Sequence, residues 1–204
     1  MPDAAPSPLT SSSSSLSFAD GDELALQDAL PRWRLGRLAR RLGLWREKQL
    51  IRKALELAGE PTLVLDLSRI TGLYWPVLAE HPSRVIIAAA DGPAQFETRL
   101  QRHAPPQRER IRVLHTTALA IGLPDGAVDC VFCMRPADED SRRTAFLREL
   151  HRVTRDTVIL AIGTDRFDPC QRDLTTAGFC LVGRLDFLPL CAARRLAVLR
   201  KFKP

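Results

Sequence analysis

Five short, almost uninterrupted apolar runs separated by helix-length stretches constrain this chain more than any other feature of its sequence. They are residues 62–67 (TLVLDL), 84–90 (RVIIAAA), 111–115 (IRVLH), 127–133 (AVDCVFC) and 157–162 (TVILAI). Runs of this length without polar alternation suit strands covered by helices on both faces, the condition of a parallel sheet. Helix-like spacing fills residues 75–80, 94–103 and 141–153 between them. The alternation predicts an α/β fold with a doubly wound, Rossmann-like sheet. Two further runs, 179–187 and 194–201, are joined only by a short link containing Pro189. A link without a helix joins antiparallel strands, so the sheet should close with an antiparallel pair.

The 204 residues are 45% hydrophobic, enough for one sizeable core and too few for two full domains. No apolar run approaches the roughly 18 residues of a membrane-spanning helix, and the N-terminus lacks the basic-then-apolar order of a secretory signal. The chain reads as a cytoplasmic protein without a transmembrane segment. Residues 1–19 hold Pro2, Pro6, Pro8 and five consecutive serines from Ser11, a composition read as a disordered tail. Residues 20–59 read as a basic helical segment capped by Asp20 or Asp22. Leu35, Leu38, Leu42 and Trp45, then Leu50, Ala54 and Leu57, recur at helical spacing, with Gly43 as a break and Gly59 as a stop. Residues 60–204 form the remaining domain.

Charge is concentrated in that basic segment. Residues 31–53 hold nine basic side chains against the single acid Glu47, a local balance of +8; the whole chain is +6, so the rest is −2. Three readings follow: a solvated helix face whose apolar stripe covers the sheet or a cleft, an interfacial helix on anionic lipid, or a contact to nucleic acid phosphates.

The strand order and three local sequences resemble class I S-adenosylmethionine-dependent methyltransferases, most closely the small type 11 domains. The carrying segments are residues 62–72 (TLVLDLSRITG), 123–135 (LPDGAVDCVFCMR) and 149–162 (ELHRVTRDTVILAI), and the resemblance spans roughly residues 55–201. It implies S-adenosylmethionine as cofactor, a methyl acceptor of unknown kind, small or macromolecular, and a last strand inserted between its partner and strand five.

The resemblance also assigns positions. The family's Asp-x-Gly-x-Gly-x-Gly turn after strand one becomes Asp66-Leu67-Ser68-Arg69-Ile70-Thr71-Gly72, so Asp66, Ser68, Thr71 and Gly72 are implied at the cofactor's amino acid moiety. Ser68 and Ile70 replace its middle glycines, and a β-branched residue supplies neither positive φ nor room. The ribose acid at the end of strand two becomes Ala90, with Asp91 one residue late. Asp91 could substitute only if the strand has ended or bulged. Thr117 and Ala118 fall where an acid or amide reads the adenine. Losing two carboxylates costs on the order of 3–6 kcal/mol, or two to four decades of affinity. Met134 completes the implied cofactor contacts, and Arg135 after strand four is the candidate for an anionic acceptor, or for pairing with Asp138, Glu139 or Asp140.

Other residues read as structural. Cys130 and Cys133 share a Cys-x-x-Cys spacing, but within a strand odd spacing points them to opposite faces, and no metal site is assigned. The five cysteines, odd in number, suit free thiols. Asp129 lies at the amino end of its strand, and His81, His103, His115 and His151 are scattered; no general base stands out. The sequence reading is therefore a methyltransferase-like protein whose altered turn and missing ribose acid weaken the cofactor site. The alternative is a catalytically inactive binding or scaffold protein on the same fold, using its basic helix or vacated cleft.

Overall fold

Strand β1 (Leu63–Asp66) lies at the centre of the sheet, and every residue from Val64 to Asp66 is buried. It pairs in parallel with β2 (Val85–Ala90) on one side and β4 (Val128–Cys133) on the other. Outside these lie β3 (Ile111–His115), parallel to β2, and β5 (Thr154–Gly163), parallel to β4. Strand β7 (Arg194–Lys201) runs antiparallel to β5 and to β6 (Phe179–Asp186), giving the order β3-β2-β1-β4-β5-β7-β6. The expected insertion of the last strand between its partner and strand five is thus present.

The computed structural model describes residues 37–68, 72–90, 93–134, 142–163, 167–187 and 194–202. They belong to one unit, Arg34–Pro204. The tail assigned to residues 1–19, the caps Asp20 and Asp22, and Leu35 lie outside the described residues.

Helices cover both faces, and the apolar residues divide between them. On one face α1 (Arg37–Leu57) contributes Ile51, Ala54 and Leu55, and α2 (Trp75–Leu78) contributes Trp75 and Leu78, against Val64, Ile86, Phe132, Ile159 and Val198. On the other, Leu147, Leu150 and Val153 of α5 (Arg143–Val153) and Leu174 of α6 (Phe167–Thr176) pack on Leu65, Val131, Val158, Leu160 and Leu199. Two further helices, α3 (Pro93–Leu100) and α4 (Pro105–Arg108), lie between β2 and β3. Cys130 and Cys133 fall in opposite layers, as their odd spacing in a strand requires.

Three sequence expectations need correction. Helix α1 runs unbroken through Gly43, since one glycine costs about 1 kcal/mol against a 21-residue ladder anchored by its packed second half. Leu42 and Trp45 do not cover the sheet: they are 65% and 58% exposed, and the core face begins at Leu50. Helices α4 and α6 were not anticipated; both are short and mostly polar, and each carries proline in its first turn, where a missing N–H costs nothing.

Arginines tie the loops at the amino edge of the sheet. Buried Arg84 donates to the Pro61 and Leu78 carbonyls and to Glu60. Arg110 donates to the carbonyls of Ala79 and His81. Arg152 joins Glu149 and Asp125 to the carbonyls of Ile121 and Leu123. Asp129 accepts from the Thr62 hydroxyl and the Leu63 amide and pairs with Arg155, which gives it the structural place read from the sequence. These clamps satisfy loop carbonyls that apolar neighbours would leave unpaired. The opposite edge, at the carboxyl ends of the parallel strands, is where chains of this topology bind ligands.

Candidate functional site

The carboxyl edge of β1 is organised by a buried carboxylate. Asp66 is fully buried at the end of its strand, level with Ala88 of β2 and Phe132 of β4. One oxygen accepts from the Ser68 amide at 2.9 Å, and the other from Trp75 Nε1 at 3.0 Å. The Ser68 hydroxyl and the Gly72 backbone also donate to it. Burial raises the carboxyl from its usual 3.8 to about 6, and only these donors hold it that low. Asp66 thereby closes both ends of the turn that follows β1.

Ser68 links this turn to strand four. Its Oγ accepts from the Met134 amide at 3.1 Å, just beyond the bond from Leu67 N to Phe132 O. A glycine there could not make that link. Gly72 adopts φ +92°, the left-handed region that glycine tolerates without a Cβ penalty. A Cβ on Gly72 would lie 3.4 Å from the Trp75 ring. Trp75 is itself fully buried, edge-on to Phe96 and beside His103, so the indole fills the space behind the turn. Burial, with Arg108 nearby, holds His103 below its ordinary pKa and favours its neutral form.

The neighbouring strand ends carry the other assigned positions. Ala90 is the last residue of β2, opposite His115 of β3, so the strand extends through the position where a ribose acid would stand. Thr117 and Ala118 follow β3 in a tight turn closed by the Ala120 amide on the Thr117 carbonyl at 3.2 Å. The Thr116 hydroxyl donates to the Ala120 carbonyl and accepts from the Gly122 amide. Met134 is buried in the α1-side layer. The structure thus brings Asp66, Ser68, Gly72 and Met134 into one bonded cluster and puts Ala90, Thr117 and Ala118 at adjacent strand ends. Thr71, Asp91 and Arg135 lie outside the described residues, as do Arg69, Ile70 and the acids at 138–140.

Sequence reasoning missed Trp75. A buried indole N–H needs an acceptor, and an acid ending a central strand nine residues earlier was the available signal. It missed the Ser68–Met134 bond for a different reason: the register of β1 against β4 decides that contact.

Residues 65–162 match the family model described as a methyltransferase domain. Over those residues the chain is similar to a methyltransferase domain, and its sheet has the class I methyltransferase fold. No curated protein sequence matches the chain. Among solved structures it resembles the magnesium protoporphyrin IX methyltransferase of Synechocystis PCC 6803 with bound S-adenosylmethionine. That likeness has a TM-score of 0.67 and 12% identity, over 91% of this chain and 92% of that one. The methyltransferase domain of a bacterial Hen1 is similar at TM-score 0.60 and 14% identity, over 76% and 97%. The [4+2]-cyclase SpnF is similar at TM-score 0.59 and 14% identity, over 76% and 80%.

The domain match and the S-adenosylmethionine-bound neighbour imply S-adenosylmethionine as the cofactor. The Asp66 turn fits its amino acid moiety, with a left-handed glycine and a carboxylate at the strand end. By the resemblance Ala90 takes the place of the ribose acid without a carboxylate, and Thr117 takes the place of the adenine-reading residue with an uncharged hydroxyl. Among the described residues, the bonded carboxylate and the left-handed glycine suit the turn, and Ala90 supplies no ribose acid.

Proposed function

We propose that this methyltransferase domain binds S-adenosylmethionine across the ends of β1, β2 and β4 and methylates an acceptor that enters beside Met134 and Arg135. The observation that carries the reading is the turn held by buried Asp66, which presents left-handed Gly72 at the switch point of the sheet. When bound, the cofactor supplies an electrophilic methyl on a sulfonium. The chain's own part is positioning. Asp66 fixes the turn, Ser68 ties it to strand four, and Trp75 excludes water behind it. Thr71 and Gly72 would face the amino acid moiety, and Thr117 and Ala118 the adenine. No described side chain stands as a general base, so the acceptor would be a nucleophile reactive once oriented.

A second reading rests on one observation: β2 runs through Ala90 without an acid. On that reading the domain is a silent binding scaffold with its cleft vacated. Calorimetric titration with S-adenosylmethionine and its demethylated product separates the two. Saturable one-to-one binding supports the enzyme. No heat and no thermal shift at millimolar ligand overturns it and leaves the scaffold.

A further inference from the structure

The first half of α1 carries an apolar ridge that the described residues leave uncovered. Of the described side chains at 41–49, none is buried, and Leu42 and Trp45, 65% and 58% exposed, are the most exposed large apolar side chains among the described residues. Three residues apart on a helix, they share one face. Arg41 and Arg46 flank them, both exposed, and Lys53 continues the exposed side. Helix α1 holds seven basic residues against Glu47 and Glu56, a net +5 in a chain of net +6. Its second half is anchored in the core by Ile51, Ala54 and Leu55, and Glu47 accepts from the Tyr74 hydroxyl, so Leu42 and Trp45 stand on a fixed base.

We propose that this face of α1 docks the protein on an anionic lipid surface, with Leu42 and Trp45 entering the headgroup boundary and the flanking cations meeting lipid charge. Charge complementarity selects the class of partner, since each cation near an anionic surface adds attraction. The exposed leucine selects lipid over nucleic acid. Phosphates bind cations and bases stack on aromatic rings, so neither takes up a leucine, whereas the interfacial region of a bilayer buries both leucine and tryptophan. Among the described residues no helix is long and apolar enough to cross a membrane, so the contact is peripheral and reversible. Such docking would bring the carboxyl edge of the sheet to substrates dissolved in, or delivered from, the membrane.

The test uses the full chain with vesicles of phosphatidylglycerol and phosphatidylcholine in equal parts, against pure phosphatidylcholine, by co-sedimentation. Binding is expected only to the anionic vesicles and should fall steeply as salt screens charge beyond about 10 Å. Arg41→Glu with Arg46→Glu should weaken it by roughly a hundredfold. Leu42→Gln with Trp45→Gln should weaken it by about tenfold or more. Melting temperature should change little in either variant, since these side chains are exposed. Trp45 emission, taken as the difference from Trp45→Phe, should shift to the blue on binding. Failure to bind anionic vesicles at low salt, equal binding to neutral ones, or full binding by the Leu42/Trp45 variant overturns the proposal. Binding to duplex DNA or RNA without vesicle binding overturns it in favour of nucleic acid. A dimer lost in the Leu42/Trp45 variant, again without vesicle binding, assigns the face to a second copy.

Discussion

Asp66 is the residue on which the site's stability and chemistry meet. Its carboxyl is raised by burial to about 6, so the folded chain holds that proton more tightly than the unfolded chain does. The stabilising contribution of this group is therefore full below its unfolded value of 3.8 and is lost as pH rises through about 6. Asp66→Asn keeps an acceptor for the Trp75 indole without a titrating charge. Relative to the natural chain, the variant should gain roughly 2–3 kcal/mol between pH 4 and pH 7, read from urea melts across that window. A difference that stays flat with pH would deny the raised carboxyl.

Ala90 makes the opposite argument, because there the missing group is the informative one. Ala90→Asp together with Ile70→Gly restores the ribose acceptor and the turn glycine. By one charge-assisted hydrogen bond alone, affinity for S-adenosylmethionine should rise about tenfold to a hundredfold in calorimetry. Unchanged affinity would mean that the ribose is held by other groups.

At the scale of elements, β7 decides whether the sheet holds together. It lies between β5 and β6, and Leu196, Ala197, Val198 and Leu199 are all fully buried, so both of its faces are core. A chain ending before Arg194 would strip the inner edge of β6 and expose β5. It should show no cooperative thermal transition, while Leu196→Ala should cost about 2–5 kcal/mol and still melt cooperatively. A cooperatively melting truncation would contradict the topology. The turn entering β6 is as constrained: Gly178 has φ +88°, and a Cβ there would lie 2.8 Å from His151 Nε2. Gly178→Ala should destabilise by more than 1 kcal/mol, combining left-handed strain with displacement of a ring that packs on Phe179.

The whole molecule shields part of its thiol chemistry. Cys130 and Cys133 are fully buried on the two faces of β4, and desolvation pushes Cys130 up to about 12 and Cys133 well above the ordinary thiol value. Thiolates form at neither under ordinary conditions. At most three of the five cysteines should react with iodoacetamide in the native state, and all five after unfolding, as intact mass would show. Reaction of four or five in a protein that still melts cooperatively would mean that the sheet opens locally around β4.

The order of the elements was written in the sequence, because a strand covered on both faces must be apolar throughout and a chain without a connecting helix must turn back on itself. That reasoning reached the seven strands to within a few residues, the antiparallel closure and, through the resemblance, the methyltransferase fold. The resemblance also assigned Asp66 and Gly72 to the turn after the central strand, where the structure bonds the one to the other. Which residues touch was not local. The bonds from Trp75 to Asp66 and from Met134 to Ser68 depend on how α2 folds back and how β1 registers with β4. Leu42 and Trp45 show the same division: helical spacing marks them as an apolar stripe, and a stripe normally faces a core. Only the tertiary structure reveals that, among the described residues, the second half of α1 covers the sheet while Leu42 and Trp45 stay exposed.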